Sequence, residues 1–350
     1  MELQFESLTK ILPAIGGRAN GLDRSGEWPA EDLRDLAGIG AWRWFLPVQF
    51  GGEEIDPLEL HLRYEAIASA SLATALIVSQ RDSAVGLIDG GENAELRAQI
   101  LPALAKGEIF STIGIAQLTT SQQGGLRAIL DGNDYRLEGM IPWSTGAGKS
   151  KYIVAGAVTE DGRQILFLLP TDLPGVSVQP PMEIVALRSS WTARIELRAV
   201  RLEKRWILRG PVAKALAGRS KTIPLGQAFL AFGLCRGALQ LILEQGSDRA
   251  NSLGARFRDQ FTSVRNEILE ICQSGDESKA AADGPRLRAA CNELAVRITQ
   301  SAVALYKGSA LLADHPAQRL AREAMFFLVW SCPDPIIDCT VNMLADREGK

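Results

Sequence analysis

Side chains able to bind metals or to act as nucleophiles are scarce in this sequence. Its two histidines are His61 and His315, which nearly excludes histidine-based metal sites and Ser-His-Asp triads. The five cysteines all lie in the last third of the chain and form no C-x-x-C pair: Cys235, Cys272, Cys291, Cys332 and Cys339. An odd, unclustered set is typical of reduced, buried thiols in a cytosolic protein. We therefore expect no metal site, no disulfide and a cytoplasmic location.

The overall composition excludes several classes of partner. The 350 residues are 46% hydrophobic and 23% charged, as in ordinary globular proteins. Lys and Arg number 38 against 41 Asp and Glu, and this net charge of −3 gives no basic surface for nucleic acid. No apolar run approaches the roughly 18 residues that a membrane span needs. We expect no nucleic-acid partner and no membrane span.

The elements that must position any site follow the order helices, strands, helices. Residues 1–110 have apolar residues at helical spacing and predict an N-terminal helical domain. Residues 111–212 predict a middle antiparallel β domain, with hairpin signals such as Thr159-Glu-Asp-Gly-Arg between β-like runs. Residues 213–350 predict a C-terminal helical bundle. The predicted fold class is therefore α+β and multi-domain.

Two helices of this scheme have predicted limits. Leu58 to Ile88 predicts a long helical stretch that breaks near Ser79-Gln-Arg81. Pro285 is predicted to start a helix of the bundle, because proline is favoured in the first turn of helices. This helix carries an apolar stripe at spacings of three, four or seven: Leu287, Cys291, Leu294, Ile298 and Leu305.

Three strings in the N-terminal segment occur in order at suitable spacing. Trp44-Phe-Leu-Pro-Val-Gln-Phe-Gly-Gly looks like a "P-E-x-G-G" turn with Gln49 in place of the Glu. Tyr64-Glu-Ala-Ile-Ala matches "E-E-I-A-R", and Gly91 to Glu108 looks like "G-x-E-x-Q-K…L-P-x-L-A-x-G-E". With the order of the segments, these strings resemble the acyl-CoA dehydrogenase superfamily over nearly the whole chain. The resemblance implies that family's fold and a flavin-dependent oxidoreductase.

Strings in the middle segment continue the resemblance. Ala116-Gln-Leu-Thr-Thr occupies the place of the family's "A-x-T-E-P", and Trp143-Ser-Thr-Gly that of "W-I-T-N-G". Ala186 to Leu208 looks like the stretch that precedes the family's C-terminal domain. The resemblance implies FAD as cofactor, with FMN as the alternative. The flavin-binding residues that it implies here are Leu118, Thr119, Gly125, Trp143 and Thr145. Another interpretation of Trp143 is a core tryptophan at a strand end.

The bundle offers one more cofactor contact. Arg249 lies eleven residues before Gln260, which resembles the family's "R-x-x-F-G…Q" with the Phe-Gly missing. In the family this Arg meets the flavin pyrophosphate of a neighbouring subunit, and a planar guanidinium suits phosphate oxygens. The resemblance therefore implies a homo-oligomer, a dimer or a tetramer. An arginine on a solvated helix face is the competing interpretation.

The catalytic base of the family has no counterpart in this sequence. Counting forward from Arg322-Glu-Ala, which stands for the family's "R-D-A", places Ser331 at the position of the usual glutamate. The alternative base position falls on Gly226. Asp334 and Asp338 are the nearest acids, and helix-cap or surface roles suit them better. We expect an apolar setting for Ser331 beside Phe327 and Trp330.

Three functions agree with these residues. The first is an acyl-CoA dehydrogenase-like flavin oxidoreductase that acts on the CH-CH group of an acyl thioester, with acyl-CoA or a similar small molecule as substrate. The second is a reduced-flavin-dependent monooxygenase on the same fold, which needs no glutamate base. The third is a non-catalytic relative that kept the fold.

Overall fold

The computed structural model describes residues 5–53, 55–118, 125–217 and 225–345, and its elements follow the predicted order. Five helices come first: α1 (Glu6–Ser25), α2 (Ala30–Gly38), α3 (Pro57–Ala70), α4 (Leu72–Asp89) and α5 (Ala94–Ala105). The Asp56 carboxylate begins α3 by accepting hydrogen bonds from the backbone N–H groups of Leu58 and Glu59. Thr119, one of the predicted flavin residues, lies outside the described residues.

The predicted break in the long helical stretch is misplaced. The chain breaks at Ser71, between α3 and α4, and not at Ser79-Gln-Arg81, which lie inside α4. Ser71 has extended backbone angles, and its hydroxyl accepts a hydrogen bond from the N–H of Thr74 at 3.3 Å. This N-cap starts a new helix although the apolar spacing continues through it.

The middle segment forms one mixed sheet of eight strands. Their bounds are β1 (Ser111–Gly114), β2 (Arg127–Asp131), β3 (Asp134–Ser144), β4 (Tyr152–Thr159), β5 (Gln164–Pro170), β6 (Val176–Val178), β7 (Ala193–Leu202) and β8 (Ile207–Val212). The order is β6-β7-β3-β2-β4-β5-β8, with β1 paired to β4. The prediction of an antiparallel sheet is wrong for the β1–β4 and β2–β4 pairs, which are parallel. The chain reverses after β2 and again after β3, so β4 returns in the direction of β2.

Both faces of this sheet are covered. Side chains alternate along β4, so Tyr152 and Val154 face one side and Ile153 and Ala155 the other. The first pair packs in a cluster with residues of α4 and α5, and the second pair in a cluster formed by β2, β3, β5 and β7. Helices α4 and α5 therefore fix the sheet against the N-terminal segment.

Five helices form the C-terminal segment: α6 (Ala228–Glu244), α7 (Asp248–Ser274), α8 (Glu277–Tyr306), α9 (Pro316–Ala324) and α10 (Asp334–Ala345). The predicted start of α8 at Pro285 is wrong, because the helix begins at Glu277 with Pro285 inside it. Asp276 caps α8 by accepting a hydrogen bond from the N–H of Lys279 at 2.9 Å. The predicted stripe faces inward, with Leu287, Cys291, Leu294 and Ile298 buried.

The N-terminal and C-terminal helices share one hydrophobic core, in which α3 lies against α6. A Cβ at Gly233 or Gly237 of α6 would collide with the backbone of α3, so glycine permits this close approach. Glu65 of α3 is fully buried and accepts hydrogen bonds from Nε of Arg236 at 2.5 Å and from Nε of Arg265 at 3.0 Å. Division at residues 110 and 212 stays our proposal, and the positions of the strands support it.

Candidate functional site

The first group of predicted flavin residues lies in and beside the 3-10 turn Ala116–Leu118, which follows β1. The amide of Gln117 fixes this turn by donating to backbone carbonyls of β1 and β4 at 2.8 and 2.9 Å. Leu118 packs on Gly156 of β4 so closely that a Cβ there would collide with it. The chain returns to the same turn at Gly125, where an added Cβ would be 3.8 Å from that of Gln117. Leu118 and Gly125 are thus neighbours.

The second group lies at the end of β3. Between Trp143 and Thr145, the hydroxyl of Ser144 donates to the carbonyl of Ile113 in β1 at 3.1 Å. Because Ile113 precedes the turn of Leu118, and this turn contacts β3, both groups occupy one flank of the sheet. Trp143 is 54% exposed, which contradicts its interpretation as a core tryptophan within one subunit. The exposed ring is accessible for packing against a ligand or another subunit.

Thr145 continues into a chain of hydroxyl groups that the sequence did not reveal as functional. Its Oγ1 lies 3.3 Å from Oγ1 of Thr192, which in turn lies 2.8 Å from Oγ of Ser190. Both partners are buried. In the sequence, only the resemblance of the string Ala186 to Leu208 pointed to this stretch, and it does not say which side chains contact each other.

The two base positions meet in space. Ser331 lies in the turn before α10, and the amide of Gln227 donates to its Oγ at 3.5 Å. Gln227 directly follows Gly226, so the residues predicted for the usual and the alternative base position, Ser331 and Gly226, lie near each other. Sequence reasoning did not single out Gln227, because its contact with Ser331 joins residues 104 positions apart. The expected apolar setting of Ser331 is wrong for a single subunit, since Ser331 is exposed while Phe327 is buried.

A buried cation lies beneath this turn. Arg288 of α8 is 2% exposed and donates to the carbonyl of Trp330 at 3.4 Å. Its guanidinium lies over the rings of Phe327 and Trp330, 5.7 and 5.8 Å from their centres. Burial lowers the pKa of Arg288 from its ordinary value. The surroundings of Ser331 therefore combine a neutral surface with a positive charge below it.

Carboxylates elsewhere in the described part of the chain are not available as substitutes. Each buried one is ion-paired with arginine: Asp23 with Arg322, Asp32 with Arg18, Glu65 with Arg236 and Arg265, Asp82 with Arg81, and Glu323 with Arg319. Burial raises the pKa of Asp32, Asp82 and Glu323, against the opposing effect of their arginines. Asp334 and Asp338 are exposed on α10, as expected for surface charges.

Arg249 and Gln260 stand apart from the other predicted residues. Both are exposed on α7, and eleven residues are about three helical turns, so they share a face. Helix α7 packs on α6 and α8. The structure does not bring these two residues to Thr145 within one subunit, and a role at a neighbour's cofactor remains a prediction.

Two further expectations concern metals and membranes. In the described ranges, no group of three or more His, Cys, Asp or Glu could hold a metal ion. No helix among them is long and apolar enough to cross a membrane. All five cysteines are reduced thiols outside any disulfide, and Cys235, Cys272 and Cys291 are buried. Burial raises the pKa of Cys272 and of Cys291 to about 12, so neither is a reactive thiolate.

Comparisons with known proteins agree with this architecture. The family model for the acyl-CoA dehydrogenase N-terminal domain matches residues 13–108. The chain is 24% identical over 336 residues to the probable acyl-CoA dehydrogenase YngJ of Bacillus subtilis (strain 168), covering 89% of this chain and 88% of that protein. It is 25% identical over 355 residues to the 3-sulfinopropanoyl-CoA desulfinase of Paraburkholderia xenovorans (strain LB400), covering 94% and 91%.

A solved structure shows the same fold over its full length. Butyryl-CoA dehydrogenase from Megasphaera elsdenii superposes with a TM-score of 0.82 at 19% identity, covering 99% of both chains. Helices, sheet and helices in this arrangement define the fold as acyl-CoA dehydrogenase-like. The chain is similar to the acyl-CoA dehydrogenase superfamily in its N-terminal segment, over most of its sequence and in its fold.

Proposed function

We propose that this chain is a flavin-dependent oxidoreductase acting on the acyl group of a CoA thioester, with FAD as cofactor and FMN as the alternative. The observation that carries the proposal is the gathering of Leu118, Gly125, Trp143 and Thr145 on one flank of the sheet. The two relatives described above are named for reactions of CoA thioesters, which supports the substrate class.

The residues of this flank fit a flavin ring. An isoalloxazine needs an apolar wall on one face and hydrogen-bond donors at its edge. Trp143 supplies an exposed aromatic surface, and Thr145 a half-buried hydroxyl whose only described partner is Thr192. When bound, the flavin would supply the electron acceptor. The chain's own residues would orient the ring and exclude water from one of its faces.

Removal of a proton from the substrate is the step for which this site lacks a strong base. Ser331, the residue at the predicted base position, contacts Gln227, and a serine hydroxyl and an amide are both neutral near pH 7. Both groups can hold a polar part of the substrate by hydrogen bonds, but neither accepts a proton well. We therefore expect binding of acyl-CoA with slow dehydrogenation, since a general base contributes about 10²- to 10⁴-fold.

The test has two stages. Absorbance of the purified protein, followed by extraction, identifies FAD, FMN or no flavin, and titration with each measures its affinity. No spectral change with either flavin at high micromolar concentration would refute the proposal. Slow anaerobic bleaching of the bound flavin by acyl-CoAs is the expected second result. The variant Trp143→Leu removes the aromatic ring and should weaken flavin binding.

A second candidate is a reduced-flavin-dependent monooxygenase. The same neutral pair, Ser331 and Gln227, favours it, because a reaction of reduced flavin with oxygen needs no carboxylate to remove an α-proton. Oxygen consumption with reduced flavin and an aromatic or amine substrate, without acyl-CoA-dependent bleaching, would select this function. Flavin binding with neither activity would select the non-catalytic relative.

The surface of α10 supports a homo-oligomer, and a cytoplasmic location is proposed on the reduced cysteines alone. Ile337, Val341 and Leu344 are exposed large hydrophobic residues spaced by four and three, so they form one apolar face. Val329, in the turn before α10, is 77% exposed. A second copy of this chain covering these side chains, in a dimer or a tetramer, would remove them from water.

A further inference from the structure

Three hydroxyl groups form a row from the interior to the flank of the sheet. Ser190 is fully buried, Thr192 is 9% exposed, and Thr145 is half-buried at the outer end. Their oxygens are 2.8 and 3.3 Å apart, in the order Ser190, Thr192, Thr145. No other hydrogen bond of these three hydroxyls is found among the described residues. The row is thus a separate chain of two hydrogen bonds.

The backbone holds this row in place from both sides. The N–H of Gly146 donates to the carbonyl of Ser190 at 2.9 Å, and Ser144 pairs with Ala193 between β3 and β7. The turn that carries Ser190 is bounded by Leu187 and Trp191, both left-handed, with φ of 60° and 47°. Non-glycine residues in this conformation cost free energy, and such strain persists where the surrounding structure fixes it.

The Trp191 indole provides that anchor. Its Nε1 donates to the carbonyl of Gly26 at 3.0 Å, beyond the end of α1. The ammonium group of Lys149 lies over its ring, 4.7 Å from the centre. The position of Thr192, one residue further on, is therefore set by the N-terminal helices as well as by the sheet.

The number of hydroxyl hydrogens determines the direction of the hydrogen bonds in the row. Three hydroxyls carry three hydrogens, and two hydrogen bonds use two of them. If Thr145 donated to Thr192 and Thr192 donated to Ser190, the unused hydrogen would be on Ser190. If Thr145 and Ser190 both donated to Thr192, the unused hydrogen would be on Thr192. Both are buried, and a buried unsatisfied donor costs about 1–3 kcal/mol. Only the order Ser190 to Thr192 to Thr145 leaves the free hydrogen on the outer hydroxyl.

We propose that Thr192 is a positioning residue that fixes the Thr145 hydroxyl as an outward hydrogen-bond donor to the flavin ring, because its own burial obliges the Thr192 hydroxyl to donate to Thr145. The inference rests on the proposed flavin site. A hydroxyl that accepts one hydrogen bond also becomes a stronger donor, because hydrogen bonds in a row polarise one another. Thr192 would thus act on the cofactor only through Thr145.

The experiment compares five variants by FAD titration and by the midpoint potential of the bound flavin. Thr145→Val removes the donor and should weaken FAD binding about 2- to 12-fold, which corresponds to one net hydrogen bond of about 0.5–1.5 kcal/mol. Thr192→Val should weaken it by a similar factor, and both should make the potential more negative. The double variant should be no worse than the larger single change, because the two residues act in series.

Two controls separate this role from packing. Thr192→Ser keeps the hydroxyl and should restore FAD binding and the potential to wild-type values. Ser190→Ala removes the innermost hydroxyl only, and the buried Thr192 still donates to Thr145, so binding should change by less than about twofold. Thermal unfolding without flavin shows whether each variant folds.

The possible outcomes distinguish the two proposals. If the wild type binds neither FAD nor FMN, the proposed function fails. If Thr145→Val weakens binding while Thr192→Val does not, or if their effects add, the inference fails and the flavin site stands. Weakened FAD binding in Thr192→Ser would likewise overturn the inference, because the methyl group of Thr192, and not its hydroxyl, would then be required.

Discussion

Placing a carboxylate at Ser331 tests the central claim about mechanism. In Ser331→Glu, the new side chain extends from a position whose hydroxyl already meets the amide of Gln227 at 3.5 Å. That amide can hold one carboxylate oxygen while the other accepts a proton from the substrate. We expect the variant to bleach its flavin with an acyl-CoA faster than the wild type does.

The magnitude follows from the missing group. A positioned general base contributes about 10²- to 10⁴-fold, which equals roughly 2.7–5.5 kcal/mol of activation free energy. Ser331 is exposed, so the glutamate should titrate near its ordinary pKa of about 4.3 in the free protein. The base works when ionised, so the rate of the variant should rise with pH through this range and then level off. Burial by bound substrate would move the rise to higher pH.

The assay is anaerobic stopped-flow absorbance of the FAD-loaded protein mixed with an acyl-CoA. Ser331→Gln is the matched control, since it has the same length without the charge, and it should stay as slow as the wild type. Gln227→Glu places the carboxylate on the other side of the same contact and should also accelerate the reaction. Rapid bleaching of the wild-type flavin would refute the missing-base argument, and so would rapid bleaching in Ser331→Gln.

Three further predictions concern stability, thiol chemistry and assembly. Glu65→Gln leaves two arginines without their buried carboxylate and should lower the free energy of unfolding in urea by about 3–5 kcal/mol; an effect below 1 kcal/mol would contradict this. At pH 8 a thiol reagent should label at most two of the five cysteines in the native protein and all five in denaturant, because Cys272 and Cys291 have a pKa of about 12 and Cys235 is buried. Light scattering should give a multiple of 37.9 kDa for the wild type and a smaller mass for Val341→Glu; a monomeric wild type at micromolar concentration would exclude the oligomer.

The order of the elements could be predicted from the sequence, but several of their limits could not. Apolar spacing continues across Ser71, so only its capping hydrogen bond to Thr74 ends one helix and starts another. Proline at position 285 looked like a helix start, and the cap at Asp276 overrides it. In both cases a single polar side chain, satisfying backbone groups at a helix end, outweighs a pattern spread over many residues.

The site could be predicted only as far as local strings describe it. Trp143 and Thr145 were found because they belong to one short string. Thr192 and Gln227 were missed because their contacts join residues 47 and 104 positions apart. Such contacts depend on the register of β3 with β7 and on the packing of α6, and neither follows from one string.

The argument for a missing base does not depend on one exact alignment. The residues within one position of either site are Leu225, Gly226, Gln227, Trp330, Ser331 and Cys332, and all six are neutral or only weakly acidic at pH 7. Each buried carboxylate of the described residues is held by an arginine, so none of these is free to act as a displaced base. The flank that would bind the flavin retains its aromatic ring and its outward hydroxyl. Cofactor binding and proton removal are therefore separable in this chain. A carboxylate introduced at Ser331 or Gln227 should accelerate proton removal without changing flavin binding.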